Sequence, residues 1–169
     1  LHISTDYVFD GSATEPIPET MPVHPLGAYG ESKQKGEALA QAILPDSIII
    51  RTSWVFSPYG NNFVKTMIRL MTERKELNVV NDQVGSPTYA ADLAKALLEI
   101  IVVLNGSRAD SYGGIYHFAN EGIISWYDFA KAICAEINSD CVIHPIPSTA
   151  YPTPARRPAY SAFDTHKIR

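Results

Sequence analysis

Two short stretches concentrate side chains that can move protons. Ser4-Thr5-Asp6-Tyr7 sets two hydroxyls, a carboxylate and a phenol in a row, and Tyr29-Gly30-Glu31-Ser32-Lys33 begins 24 residues after Thr5. On a helix, Tyr29 and Lys33 are four apart and share a face. A phenol titrates near ~10, too high for easy exchange at neutral pH, and a nearby ammonium favours its charged form. Lowering such a value by about 3 units takes about 4 kcal/mol, which a desolvated neighbouring charge can supply. The spacing therefore reads as a tunable acid–base pair. Thr5, at the end of a strand, would sit where open α/β sheets bind ligands, with its hydroxyl free to donate to a carbonyl or alkoxide oxygen. The same Y-x-x-x-K spacing also arises by chance, as a surface aromatic beside a solvated lysine. The Ser-Thr before it is what favours chemistry.

Other residues carry weaker signals. Arg156 and Arg157 need a polyanion or an acidic neighbour, and a pyrophosphate suits a guanidinium fork; a solvated basic pair on a proline-rich tail is the alternative. Asn61 and Asn62 open a helix, where they either greet a phosphate or simply cap it. The five histidines are scattered and no two stand at a metal-ligand spacing, so no metal is expected. Cys134 and Cys141 are too few for a disulfide framework and read as free thiols suited to a reducing compartment.

The elements that must position these groups alternate. A buried strand ends at about Ser4, and a helix spans about Ala28 to Ile43, with Leu39, Ala42 and Ile43 on one face and Pro45 as the stop. Strands are expected at 47–51, 77–80, 116–119 and 142–146. Helices are expected at 62–74, at 88–104 with Thr88 as N-cap, and from a Ser125–Asp128 capping box to Ile137. Residues 105–114 read as a surface loop. Nine of the 12 prolines fall in two irregular segments, around 16–25 and 145–158, which leaves the span between Pro87 and Pro145 open to long helices. The alternation implies an α/β fold with parallel strands covered by helices on both faces.

Composition narrows the function classes. The chain has 169 residues, 46% apolar and 19% charged, which is globular rather than disordered. Its net charge of −4 disfavours nucleic acid as a partner. The longest wholly apolar run, Ile100 to Leu104, is far short of a membrane span. The N-terminal residues are not a signal peptide and read as the inside of a strand, so a cytoplasmic setting is expected.

Six strings in order resemble a known family: STDYVFDG (4–11), AYGESKQKGE (28–37), RTSWVF (51–56), GNNFVKTM (60–67), NDQVGSPTYAADLA (81–94) and YPTPARRPAYS (151–161). Together they are similar to the dTDP-4-dehydrorhamnose reductase family, in the extended branch of the short-chain dehydrogenase/reductase superfamily. The resemblance implies reduction of the 4-keto group of dTDP-4-dehydro-L-rhamnose by NADPH or NADH, a step towards cell-wall polysaccharide. It implies Thr5, Tyr29 and Lys33 as the catalytic set, with Tyr29 protonating the oxygen and Thr5 bonded to it. It also implies Ser4, Tyr29 and Lys33 at the cofactor, and Tyr7, Trp54, Asn62 and Arg157 at the nucleotide sugar. Trp54 also fits a plain core tryptophan.

The family opens with a glycine-rich dinucleotide fingerprint, and no G-x-G-x-x-G or G-x-x-G-x-x-G string occurs here. The expectation is a partial Rossmann-like parallel sheet over residues 1–56, carrying the catalytic residues. A mainly substrate-binding region over 57–169 would be interleaved with the last Rossmann elements. Such a chain would bind NAD(P)H poorly alone, and the unpaired strand at Leu1 invites a homo-oligomer. Two rivals remain: a non-catalytic regulatory subunit like the β subunit of methionine adenosyltransferase, and another nucleotide-sugar reductase, epimerase or dehydratase. RTSWVF and GNNF favour the enzyme over the regulatory subunit, and Tyr7 after Asp6, where dehydratases place a second carboxylate, favours simple reduction.

Overall fold

The computed structural model describes residues 1–106, 112–153 and 155–169. In chain order these form β1 (His2–Thr5), a 3-10 turn (Asp6–Val8), α1 (Ala28–Ile43), β2 (Ile48–Thr52), β3 (Val55–Phe56) and α2 (Phe63–Glu73). There follow β4 (Glu76–Val80), β5 (Val84–Gly85), β6 (Thr88–Tyr89), α3 (Ala90–Gly106), β7 (Gly114–Phe118), β8 (Ile124–Ser125), α4 (Trp126–Glu136) and β9 (Val142–Ile146).

The sheet that organises the site has the order β1-β2-β7, with both pairings parallel. Its middle strand, Ile-Ile-Ile-Arg-Thr, is buried at every position, as a β-branched run covered on both faces should be. Ile48 and Ile50 pack with Leu93 of α3 on one face. On the other, Glu37 of α1 reaches Arg51. A second core joins Met67 and Met71 of α2, Leu77 and Val79 of the parallel β4–β9 pair, and Phe129 and Ile133 of α4. The capping box at the start of α4 is present in both directions, Ser125 to Asp128 and back. No helix among the described residues is long and apolar enough to cross a membrane.

Two expectations need correcting. Thr88 is not a helix N-cap: it lies in β6, fully buried and paired with Val55. A distant residue supplies the polar contacts at the head of α3 instead. Asn120 accepts from the Tyr89 N–H at 2.7 Å and donates to Asp92 at 2.7 Å. The apolar face of α1 is also not its packing face, for Leu39 and Ile43 are exposed, the latter by 82%. The helix turns Gly30 and Glu37 inward instead. Of the expected loop over 105–114, Asn105 and Gly106 end α3, Gly114 opens β7, and 107–111 lie outside the described residues.

Candidate active site

The C-terminal end of β1 gathers the site. Side chains alternate along a strand, so Ser4 and Thr5 part company. Ser4 lies on the side of its register partner Arg51, and its buried hydroxyl has no partner among the described residues. Thr5 is buried at the head of the 3-10 turn. Its Oγ1 accepts from the Tyr7 N–H at 3.3 Å and donates to Asp6 Oδ1 at 3.1 Å. Asp6 is 2% exposed, and burial raises its pKa to about 6, with the Ser161 and Thr5 hydroxyls pulling it back. Its Oδ2 has no hydrogen bond among the described residues.

Tyr7 follows, half-buried, with its ring edge-on to Tyr29 at 5.6 Å between centroids. Burial pushes the Tyr7 phenol up, and the Arg157 guanidinium pulls it down. The exposed Arg157 is thus felt at Tyr7 through its charge. Tyr29, in the first turn of α1, is 57% exposed and so open to a ligand. Lys33, one turn on, donates to the Ile3 carbonyl at 2.5 Å, which holds the ammonium at the strand end on Tyr29's face of the helix.

Gly30 makes this approach possible. A Cβ there would meet the Tyr7 carbonyl oxygen inside any allowed contact and stand 2.8 Å from Pro25 Cβ. Only a residue without Cβ lets α1 sit against the Tyr7 backbone. A glycine near the start of a helical pattern was the available signal for this.

The C-terminal tail forms the opposite wall. Ser161 donates its N–H to Val84 and Ile17 donates to Ala162. Gly11, at φ +80, faces Ala159 closely enough that a Cβ would stand 2.5 Å from its nitrogen. A Cβ on Gly85 would meet both the Trp54 ring at 2.7 Å and Ser161 Oγ at 2.8 Å. Trp54 thus adjoins the wall that faces Asp6. It sits at φ +48, a rare conformation for a bulky side chain, and stacks on Trp126 at 3.5 Å and 9°. Strain of about 1–3 kcal/mol held at such a point fixes where the indole aims. Trp126 covers one face of the ring, Gly85 lies against its Cε2–Cζ2 side, and the residue as a whole is half-buried.

Asn62 is committed elsewhere. It caps α2 by accepting from the Lys65 N–H at 3.1 Å, and its amide donates to the Ser57 carbonyl at 2.7 Å. Its side chain shapes the loop over 57–61. The structure therefore brings together Thr5, Tyr7, Tyr29 and Lys33, with the Arg157 charge felt at Tyr7, places Trp54 along the adjoining wall, and leaves Ser4 on the Arg51 side of the strand. Among the described residues no group of three His, Cys, Asp or Glu side chains is placed to hold a metal.

Residues 1–169 match the family described as the RmlD substrate binding domain. A curated relative from Aggregatibacter actinomycetemcomitans, named dTDP-4-dehydrorhamnose reductase, is 50% identical over all of this chain and 59% of its own length. The spore coat polysaccharide biosynthesis protein SpsK of Bacillus subtilis is 45% identical over 99% of this chain and 56% of its own. A solved dTDP-4-dehydrorhamnose reductase from Bacillus anthracis, in complex with NADP, superposes with a TM-score of 0.91 at 42% identity. That match covers 99% of this chain and 57% of the solved one. The chain thus spans somewhat under six-tenths of the length of these relatives.

Proposed function

The chain belongs to the RmlD substrate binding domain family, and from that membership we propose that it carries the acid–base and sugar-recognition part of an NAD(P)H-dependent reductase. The reaction is reduction of the 4-keto group of dTDP-4-dehydro-L-rhamnose to the alcohol of dTDP-L-rhamnose. The observation that supports it best is the convergence of Thr5, Tyr7, Tyr29 and Lys33 at one strand end.

The cofactor fits in part. Lys33 keeps two of its three N–H donors after bonding Ile3, enough for the hydroxyls of a nicotinamide ribose. The glycine-rich turn for a pyrophosphate is not in this sequence. A bound NAD(P)H supplies the hydride that reaches the carbonyl carbon.

The residues do the rest. Tyr29, exposed at the mouth, gives its phenolic proton to the carbonyl oxygen as the alcohol forms. The phenolate left behind lies on the face of α1 that carries the Lys33 ammonium, which stabilises it. Thr5 now directs its proton to Asp6 and accepts from Tyr7, which leaves one lone pair for a sugar hydroxyl. Donation to the reacting oxygen requires that proton to swing away from Asp6. Tyr7 and Arg157 flank the sugar and its pyrophosphate, and the part of the half-buried Trp54 ring left exposed packs on the sugar's C–H surface. Asn62 acts through the shape of its loop. The reaction belongs in a cytoplasmic setting, where nucleotide sugars and reduced nicotinamides occur together.

Tyr29→Phe in a full-length protein carrying this chain tests the reading. Loss of a general acid lowers kcat by about 10²–10⁴-fold, with nucleotide-sugar affinity held within about threefold. Turnover equal to the parent removes Tyr29 from the mechanism.

A further inference from the structure

The helix that carries Tyr29 and Lys33 continues its inward face to Glu37. The three residues stand at i, i+4 and i+8, so they form one line along α1. Two of the three are tied to the sheet by hydrogen bonds. Lys33 Nζ meets the Ile3 carbonyl on β1. Glu37 meets Arg51 on β2 through two parallel bonds, Nε to Oε1 at 2.9 Å and Nη2 to Oε2 at 2.7 Å. Tyr29, the third, rests its ring against Tyr7.

We propose that Glu37 and Arg51 are positioning residues whose buried fork sets the roll of α1 about its axis, so that Tyr29 and Lys33 face the end of β1. The inference rests on the proposed roles of those two residues. The close approach of Gly30 to the Tyr7 backbone sets how near the first turn of α1 comes, and the fork restrains the helix one to two turns further on. Its N-cap is Gly27, with no side-chain cap. Its apolar residues Leu39 and Ile43 are largely exposed and belong to no core cluster among the described residues. At Gly36 an added Cβ would stand 3.5 Å from His2 Nε2, so the backbone there is not pressed on the sheet as it is at Gly30.

The lever is short and the tolerance small. A roll of about 10° carries a phenol oxygen about 8 Å from the axis through roughly 1.4 Å, and misplacement by about 1 Å is enough to cost some 10²-fold in rate. A bidentate fork resists such a roll because both of its bonds must stay in plane.

The anchor is also well placed. Arg51 lies on the middle strand, between Ser4 and His117 in register. Its guanidinium stands 5.1 Å from the centroid of the Phe9 ring, just beyond the 3-10 turn. The two side chains are 3% and 5% exposed. A buried ion pair is a poor source of net stability, since well-packed apolar residues often replace it without loss. Direction is what it adds, and direction is what an acid–base pair on a helix needs.

The test uses variants that keep the site filled. In Glu37→Leu/Arg51→Met both charges leave together. In Glu37→Gln the volume stays and one arm of the fork goes. Two readouts are taken on each. In the chain itself, nitrogen-edited NMR follows exchange of the Lys33 ammonium protons, which the Ile3 carbonyl slows. In a full-length protein carrying the chain, kcat and the nucleotide-sugar KM are measured separately. The expected result is a folded protein with Lys33 protection lost, kcat down about tenfold or more, and KM within threefold. A folded double variant, or a folded Glu37→Gln should the double fail to fold, with Lys33 protection and kcat at parental values overturns the proposal. If Tyr29→Phe keeps its turnover, the catalytic reading fails by itself, and the NMR readout still decides whether the fork sets the helix.

Discussion

Two glycines on one helix should respond to alanine in opposite directions. Gly30 and Gly36 both lie inside α1, where exchanging glycine for alanine gains up to about 1 kcal/mol of helix propensity when nothing is in the way. At Gly36 nothing is: the new Cβ would stand 3.5 Å from His2 Nε2, an ordinary contact. Gly36→Ala should therefore stabilise by about 0.5–1 kcal/mol, or about 1–4 °C in Tm for a chain of this size. At Gly30 the Cβ would stand 2.8 Å from Pro25 Cβ, 3.0 Å from the Tyr7 carbonyl carbon, and closer still to the Tyr7 oxygen. The oxygen belongs to backbone and cannot rotate away. The start of α1 must move by about 1 Å, and overpacking of this kind costs about 1–3 kcal/mol, which offsets the propensity gain. Gly30→Ala should leave Tm unchanged or lowered by several degrees. It should cut kcat about 10²-fold in a full-length protein, because Tyr29 rides on the displaced turn. Thermal unfolding by circular dichroism and steady-state kinetics read both effects. If Gly30→Ala raises Tm as much as Gly36→Ala does and leaves kcat within threefold, the close approach at Tyr7 does not position Tyr29.

Two further outcomes concern Asp6 and the tryptophan stack. Asp6 has its pKa raised to about 6 by burial, against 3.8 for the free carboxyl. Its contribution is therefore fully present below about pH 4 and is lost as the pH climbs through 6. Asp6→Asn should gain stability relative to the parent between pH 4 and 7, by up to about 3 kcal/mol, when both are unfolded in urea; a difference constant with pH would show that Asp6 does not titrate in this window. The Trp54–Trp126 stack at 3.5 Å should give an exciton couplet in the circular dichroism spectrum. It should vanish equally in Trp54→Phe and Trp126→Phe, and a couplet surviving either change would show that the rings are not paired.

Much of this molecule is legible from local pattern. The buried run at Ile48–Arg51, the helix after Ala28 and the capping box at Ser125 are each announced by residues within a few positions of one another. The fold overrides local pattern where a distant residue supplies the partner. Thr88 looks like an N-cap until Asn120 takes the Tyr89 N–H from 31 residues further along the chain. The apolar stripe of α1 looks like a core face until Glu37 finds Arg51. His117 looks like any isolated histidine. Folded, it is fully buried, stacked on Phe163 at 4.2 Å and bonded through Nδ1 to the Ile17 carbonyl. Burial, with Arg51 nearby, drives its pKa down to about 3, so it stays neutral. Since a carbonyl only accepts, Nδ1 carries the proton. In the candidate site, the Y-x-x-x-K spacing and the strand-end threonine were readable. The commitment of the Thr5 proton to Asp6, and of the Asn62 side chain to its own helix, depends on rotamers that no spacing encodes.

The two walls of the site are built to different tolerances. The acid–base wall is tied down over the first half of α1: Gly30 against the Tyr7 backbone of the 3-10 turn, Lys33 to Ile3 and Glu37 to Arg51 on the sheet. The recognition wall is a tail with little regular structure, held at intervals. Val84 donates to the Ala159 carbonyl and accepts from the Ser161 N–H, Ile17 donates to Ala162 and accepts from Asp164, and Phe163 packs into the cluster with Val8 and Phe9. Arg157 extends just before the first of these ties and is free to adjust. That division suits the proposed chemistry. Proton transfer depends on sub-ångström placement, which a packed helix and a bidentate fork supply. Capture of a flexible pyrophosphate gains more from a guanidinium that can follow its ligand than from one held rigid. The same division explains why the 3-10 turn at Asp6–Val8 carries so many constraints. It touches both walls, through Tyr7 towards Tyr29 and through Asp6 towards Ser161, so any error in its placement would be transmitted to both.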